Sequence, residues 1–102
     1  HSDAFKRNQG KGATVFTSIG LTQSDLLATL WMKEHIKSFP NLAVRSDKRD
    51  GDVDKENNFA MNKVNCPSIL IETMFHTQEN ECRILMSISG KDNVIRKNSK
   101  VL

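Results

Sequence analysis

Residues 66–75, CPSILIETMF, decide the fold of this chain. Pro67 ends any preceding regular element, because proline lacks the amide hydrogen that helices and central strands require. The apolar run that follows is rich in residues that favour β-structure, and it predicts a buried strand over 68–71. Glu72 ends this strand. A buried strand that presents a carboxylate at its C-terminal end holds a catalytic acid or base on rigid scaffolding.

Two elements upstream of this stretch predict a strand followed by a helix. Residues 13–18, ATVFTS, alternate apolar and polar side chains, which is typical of a strand. Residues 22–39 predict a long helix that Thr22 or Ser24 caps and Pro40 stops. Its apolar side chains recur at intervals of three and four residues, which predicts one apolar face made of Leu26, Leu27, Leu30, Trp31, Ile36 and Phe39. His35 on this helix is expected at the surface or at the edge of the core, not in a metal site.

The remaining segments are less regular. Residues 6–12 predict a surface loop near a binding cleft, and residues 41–45 predict a short strand around Leu42 and Val44. Residues 46–58 are charged and predict a solvated, mobile loop; a calcium loop stays open as a second interpretation, although the neighbouring cations oppose it. Residues 79–86 predict a second helix capped by Thr77. Three interpretations stay open for the polar stretch after residue 87: a loose tail, a weak strand or a helix.

This order of elements predicts an α/β fold, with a mixed β-sheet flanked by helices on both faces. The long helix between two strands predicts a crossover connection, which is right-handed when the strands it joins are parallel. With 102 residues, the chain is sufficient for one small domain.

Composition narrows the classes of function. Charged residues make up 26% of the chain, and no stretch approaches the ~20 consecutive apolar residues of a membrane span. The net charge of +3 comes without a basic stripe interleaved with aromatic residues, so we expect no nucleic-acid partner. Cys66 and Cys82 form no CxxC pair, and both are predicted to be small buried hydrophobic residues.

His1 and Glu72 are the candidates for a joint site. A neutral imidazole is a zinc ligand, and a carboxylate beside the metal can take a proton from water and pass it to a leaving amine. This pair of groups supports amide hydrolysis. Because any protein contains a histidine and a glutamate, the residue types alone leave the assignment open.

Four strings of sequence make the assignment more specific. HSDAF, GKGATVFTS, SDLLATL and CPSILIETMFHTQENECRIL occur in this order. Together they resemble the zinc-dependent N-acetylmuramoyl-L-alanine amidases, a family that includes bacterial cell-separation amidases and phage endolysins. The resemblance implies an amidase-type, phosphorylase/hydrolase-like α/β domain. It also implies that His1 is a zinc ligand, that Glu72 is the catalytic glutamate and that Asp3 supports them. His76 is a further candidate for contact with substrate or metal.

The function implied by this resemblance is zinc-dependent hydrolysis of the amide between N-acetylmuramic acid and L-alanine in peptidoglycan. The protein would act in the cell envelope or outside the cell, or it would be a lysin encoded by a phage. The family places a second histidine and a glutamate that bind zinc upstream of the position of His1. We therefore expect residues 1–88 to be the C-terminal part of an incomplete amidase domain, followed by a polar tail over residues 89–102. Two alternatives stay open: a non-catalytic wall-binding or regulatory module of the same fold, and another zinc amide hydrolase.

Overall fold

The computed structural model of the chain describes residues 1–46 and 53–101. The fold is α/β, as predicted, with a small mixed sheet and three helices. In chain order the elements are β1 (Thr14–Thr17), α1 (Gln23–Ser38), β2 (Lys55–Glu56), a 3-10 turn (Ala60–Asn62), β3 (Leu70–Glu72), α2 (Glu79–Met86) and α3 (Ile88–Val101). Residues 47–52 of the charged stretch predicted as a solvated, mobile loop lie outside the described residues, and with them much of the calcium interpretation. Further along this stretch the prediction of a solvated loop is wrong, because Asp54 is buried and Lys55–Glu56 form β2.

The sheet has the strand order β2-β1-β3. β1 runs parallel to β2, so α1 forms the predicted crossover between them, and β1 runs antiparallel to β3. Val15 lies opposite Ile71, and Thr14 lies opposite Glu72. Because neighbouring side chains of a strand point to opposite faces, Val15 and Ile71 face the core beneath α1, while Thr14 and Glu72 share the other face.

The start of β1 also contacts the segment predicted as a short strand. This segment forms a single parallel bridge between Val44 and Ala13 instead of a full strand. Arg45 directly follows Val44, and its amide donates to the Ala13 carbonyl, so Arg45 lies beside the start of β1.

Helix α1 begins as predicted, with a capping box between Thr22 and Asp25, and it ends just before Pro40. Its buried face differs from the predicted one. Leu26, Leu30 and Ile36 are 67%, 45% and 47% exposed. The buried side of the helix instead combines small or polar residues with large ones. These buried residues are Ser24, Ala28, Trp31, Met32 and His35. Ala28, Trp31 and Met32 pack with Val15 of β1 in one core cluster, so this side of α1 faces the sheet.

The polar stretch after residue 87 forms helix α3, which packs along α1. Asn98 Oδ1 accepts a 2.8 Å hydrogen bond from Trp31 Nε1. Lys97 Nζ lies 2.5 Å from His35 Nδ1, and both residues are fully buried. The expectation that His35 lies at the surface or core edge is therefore wrong, because α3 and the rings of Trp31 and Phe39 enclose it.

Helix α2 spans the predicted residues, but its cap is Gln78 and not Thr77. The Gln78 side chain accepts a hydrogen bond from the Glu81 amide at 2.7 Å, while the Thr77 hydroxyl accepts one from the Phe5 amide. The prediction of two buried cysteines is also incorrect.

Both cysteine thiols are free; Cys66 is exposed and Cys82 is half-buried. Cys66 precedes Pro67 in the irregular segment before β3, so it does not share the burial of the strand. No helix among the described residues has the length and apolar character needed to cross a membrane.

Candidate active site

The first residues of the chain run beside the segment that contains β3 and its continuation. The backbone nitrogen of His1 donates to the Ile71 carbonyl at 2.9 Å, and the Thr73 amide donates to the His1 carbonyl at 2.9 Å. The Asp3 amide donates to the Met74 carbonyl at 2.7 Å. These backbone bonds bring the side chains of His1 and Asp3 to Glu72, although the whole length of β1, α1 and β2 separates them in sequence.

His1 and Glu72 converge at this point. His1 Nε2 lies 3.6 Å from Glu72 Oε1. His1 Nδ1 lies 2.8 Å from the Ser2 carbonyl, so we assign the Nδ1 proton to that bond, which leaves the Nε2 lone pair facing the carboxylate. A histidine held through one nitrogen by a backbone carbonyl, with the other nitrogen free, has the arrangement usual for a metal ligand.

The surroundings of Glu72 favour its protonated form. Burial is the largest cause of the raised pKa of this carboxyl, and a hydrogen bond and the charge of Asp3 raise it further. The charge of His1, when its ring is protonated, and the charge of Arg45 lower this pKa. The side chain of Glu72 is 12% exposed, so it is largely buried and still reaches the surface.

Arg45 belongs to this site and was not identified from the sequence. Its Nη1 lies 3.3 Å from Asp3 Oδ2, and its Cζ lies 5.2 Å from the centre of the Phe75 ring. Its amide donates to the Ala13 carbonyl at 2.7 Å. One signal was present: Arg45 is the last residue of a predicted short strand, and a residue at the end of a strand beside β1 reaches the same edge of the sheet.

His76 is not brought to Glu72. Its Nδ1 lies 2.9 Å from Ser2 Oγ, and its exposed ring lines a different cavity together with Arg7, Asn8 and Cys82. Contact between His76 and metal or substrate therefore stays a prediction.

The described residues fit one part of a zinc site. Within residues 1–46 and 53–101, no three histidine, cysteine or carboxylate side chains are grouped to hold one ion. A catalytic zinc site uses three protein ligands and keeps one position open. The free Nε2 of His1 suits one of these ligands, and the other ligands are not found in this part of the chain.

The fold can be compared with known proteins. No protein-family model matches the sequence, and neither does any curated protein. The structure is similar to that of the CwlD amidase from Clostridioides difficile, solved in complex with the GerS lipoprotein, with a TM-score of 0.79 over 95% of this chain. The fold is amidase-like. At 23% sequence identity, this similarity establishes the fold alone, and the chain spans 47% of the CwlD chain.

Proposed function

We propose that this chain contributes to hydrolysis of the amide between N-acetylmuramic acid and L-alanine in peptidoglycan, in the cell envelope or outside the cell. The observation that carries the proposal is the convergence of His1 and Glu72, 3.6 Å apart, on an amidase-like fold. The order of sequence strings that resembles the zinc amidases supports the same substrate.

Glu72 acts in this proposal as general base and then as general acid. Water adds through its oxygen to the carbonyl carbon of the amide, and one water proton passes to the Glu72 carboxylate. The carbon–nitrogen bond then breaks, and the same proton passes to the departing nitrogen of L-alanine. The products are the lactyl carboxylic acid and a free amine. A largely buried position on β3 keeps the carboxyl in one orientation through both transfers.

Zinc is the proposed cofactor, with His1 as one ligand and the remaining ligands outside the described residues. When bound, the ion would polarise the carbonyl and lower the pKa of a water molecule. Asp3 is proposed to support the site through its contact with Glu72.

The test replaces Glu72→Gln in the complete protein and measures the stem peptides released from purified peptidoglycan, with identification of their new amino termini. We expect activity to fall by at least about 100-fold, because the amide side chain cannot carry the proton. Glu79→Gln is the matched control, because Glu79 is exposed and pairs with Arg83 on the surface of α2. Zinc content and the circular dichroism spectrum should be unchanged in both variants.

Other results would redirect the proposal. Activity retained in Glu72→Gln would remove the catalytic role of this carboxyl. A new amino terminus other than L-alanine would favour another zinc amide hydrolase. A complete protein that binds peptidoglycan, holds no zinc and cleaves nothing would favour a non-catalytic wall-binding module.

A further inference from the structure

A cavity of about 350 Å³ opens directly beside the candidate active site. Its lining includes Asp3, Gln9, Lys11, Arg45 and Phe75, and we call it the basic pocket. Asp3 forms the wall that the basic pocket shares with the site, because Asp3 contacts both Glu72 and Arg45. A group bound in the basic pocket is therefore separated from Glu72 only by the carboxyl group of Asp3.

Arg45 is held rigidly at the wall of this pocket. Its backbone is tied to β1 through the Ala13 carbonyl, and its guanidinium lies over the ring of Phe75. Only Nη1 has a partner among the described side chains, at 3.3 Å, and the side chain is 39% exposed. The remaining N–H groups are available to a ligand, and a planar guanidinium matches a carboxylate with two parallel hydrogen bonds.

The loop opposite Arg45 brings a second cation. Gly10 packs so closely on Phe75 that an added Cβ would lie 2.4 Å from its ring, and the Gly12 amide donates to Glu81 at 2.6 Å. Lys11 lies between these two anchored glycines and lines the basic pocket. Among the residues that line the basic pocket, Arg45 and Lys11 are cations and Asp3 is the one carboxylate, so the lining is suited to an anion. Lys11 also acts on the carboxylate of Glu81 outside the lining, so Arg45 is the main anion-binding group.

We propose that the basic pocket binds a carboxylate of the stem peptide, carried by the residue that follows L-alanine. This inference rests on the proposed function. Of the two sides of the scissile amide, the sugar offers neutral hydroxyl and acetamido groups, whereas the peptide offers carboxylates. An extended chain advances about 3.3–3.6 Å per residue, so the second residue of the peptide reaches a pocket adjacent to Glu72.

The test measures binding to the complete protein carrying Glu72→Gln, by isothermal titration calorimetry at low salt. The ligands are N-acetylmuramyl-L-alanyl-D-glutamate and its D-isoglutamine counterpart, both with the γ-carboxyl blocked as the methylamide. They differ only in one carboxylate. We expect the acid to bind at least about tenfold more tightly than the amide, because it alone forms charge-assisted hydrogen bonds.

Variants of the cations identify the source of this preference. Adding Arg45→Gln should reduce the affinity for the acid to that for the amide, while Arg45→Lys should keep part of the preference. Lys33→Gln is the control, because it removes one positive charge from an exposed position on α1 outside the pocket. Equal affinities in the parent protein, or an unchanged preference in Arg45→Gln, would overturn the inference.

The two proposals fail in different ways. Cleavage of muramyl-L-alanine by the unmodified protein, without any preference for the acid, would keep the amidase function and reject the basic pocket. Preference for the acid through Arg45, without cleavage, would keep the pocket and reject the amidase function.

Discussion

Thr14 and Thr17 of β1 are both fully buried, but their hydroxyls have different surroundings. Thr14 Oγ1, on the face shared with Glu72, has no hydrogen-bond partner within the described residues. Thr17 Oγ1 donates to Asp54 Oδ2, and the other oxygen of that buried carboxylate has no partner in the part of the chain that the structure describes. A buried polar group left without a partner costs about 1–3 kcal/mol. The two hydroxyls should therefore have opposite effects on stability.

Thr14→Val should raise the free energy of unfolding by about 1 kcal/mol, because it removes the desolvation cost of a buried hydroxyl that no hydrogen bond offsets. Thr17→Val should lower it by about 1–3 kcal/mol, because Asp54 would lose its hydrogen bond while remaining buried. Urea denaturation monitored by circular dichroism measures both values. Equal destabilisation by the two substitutions would contradict this account of the strand.

At the scale of elements, the contact between α1 and α3 depends on an unusual pair. Burial lowers the pKa of Lys97 to about 7, and burial together with the charge of Lys97 lowers the pKa of His35 to about 3. Lys97 Nζ also lies 4.3 Å from the centre of the Trp31 ring, which offers a cation–π contact. The charged groups on the two helices around this pair include Glu34, which lies 3.9 Å from Lys100.

Stability should therefore rise with pH. Between pH 7 and the ordinary lysine pKa of 10.5, the unfolded chain holds a proton on Lys97 that the folded chain has released. The free energy of unfolding then increases with pH in this window, by at most about 1.4 kcal/mol per pH unit. His35 acts in the same direction between pH 3 and 6.5, where only the unfolded chain protonates it, so stability falls on acidification.

Lys97→Met isolates the lysine contribution. We expect the rise in unfolding free energy between pH 7 and 10.5 to disappear in this variant, because no ionisable group remains at the position. Lys100→Met is the matched control: Lys100 lies on the same helix and is half-exposed, so the rise should persist. Urea titrations at a series of pH values give the slopes. A slope that survives in Lys97→Met would assign the effect to other groups.

At the scale of the whole molecule, the chain is compact although it spans about half of the CwlD chain. Its radius of gyration is 13.4 Å, close to the ~13 Å typical of a folded domain of about 100 residues. Helix α3 contributes to this compactness by covering Trp31 and His35 of α1. Residues 88–101 thus form a helix that packs on α1, and the division of the chain at residue 88 stays a prediction.

Ile95→Pro tests how much the molecule depends on α3. Proline in the middle of a helix costs about 3 kcal/mol or more, and loss of α3 would expose the indole of Trp31. We expect a marked drop in melting temperature and a red shift of tryptophan emission. Ile95→Ala is the control, because Ile95 is 65% exposed and alanine favours a helix. A proline variant that melts like the alanine variant would show that α3 contributes little to the fold.

Much of the fold could be predicted from local patterns. The apolar run before Glu72 forms β3, the alternation in residues 14–17 forms β1, and the cap at Thr22 and stop at Pro40 bound α1. These features depend on neighbouring residues, so the sequence displays them directly. The exposed Leu26 and Leu30 show the limit, since spacing identifies an apolar face but not the element that covers it.

The sequence by itself determined the α/β class, the strand that carries Glu72 and the pairing of Glu72 with His1 as candidates. Only the tertiary structure decided that Arg45 joins them, that His76 faces another cavity and that α3 buries Lys97 against His35. The physical reason is that strand and helix signals act over a few residues. Contacts between side chains distant in sequence depend on how whole elements pack, and that packing is set by the volume and shape of the shared core.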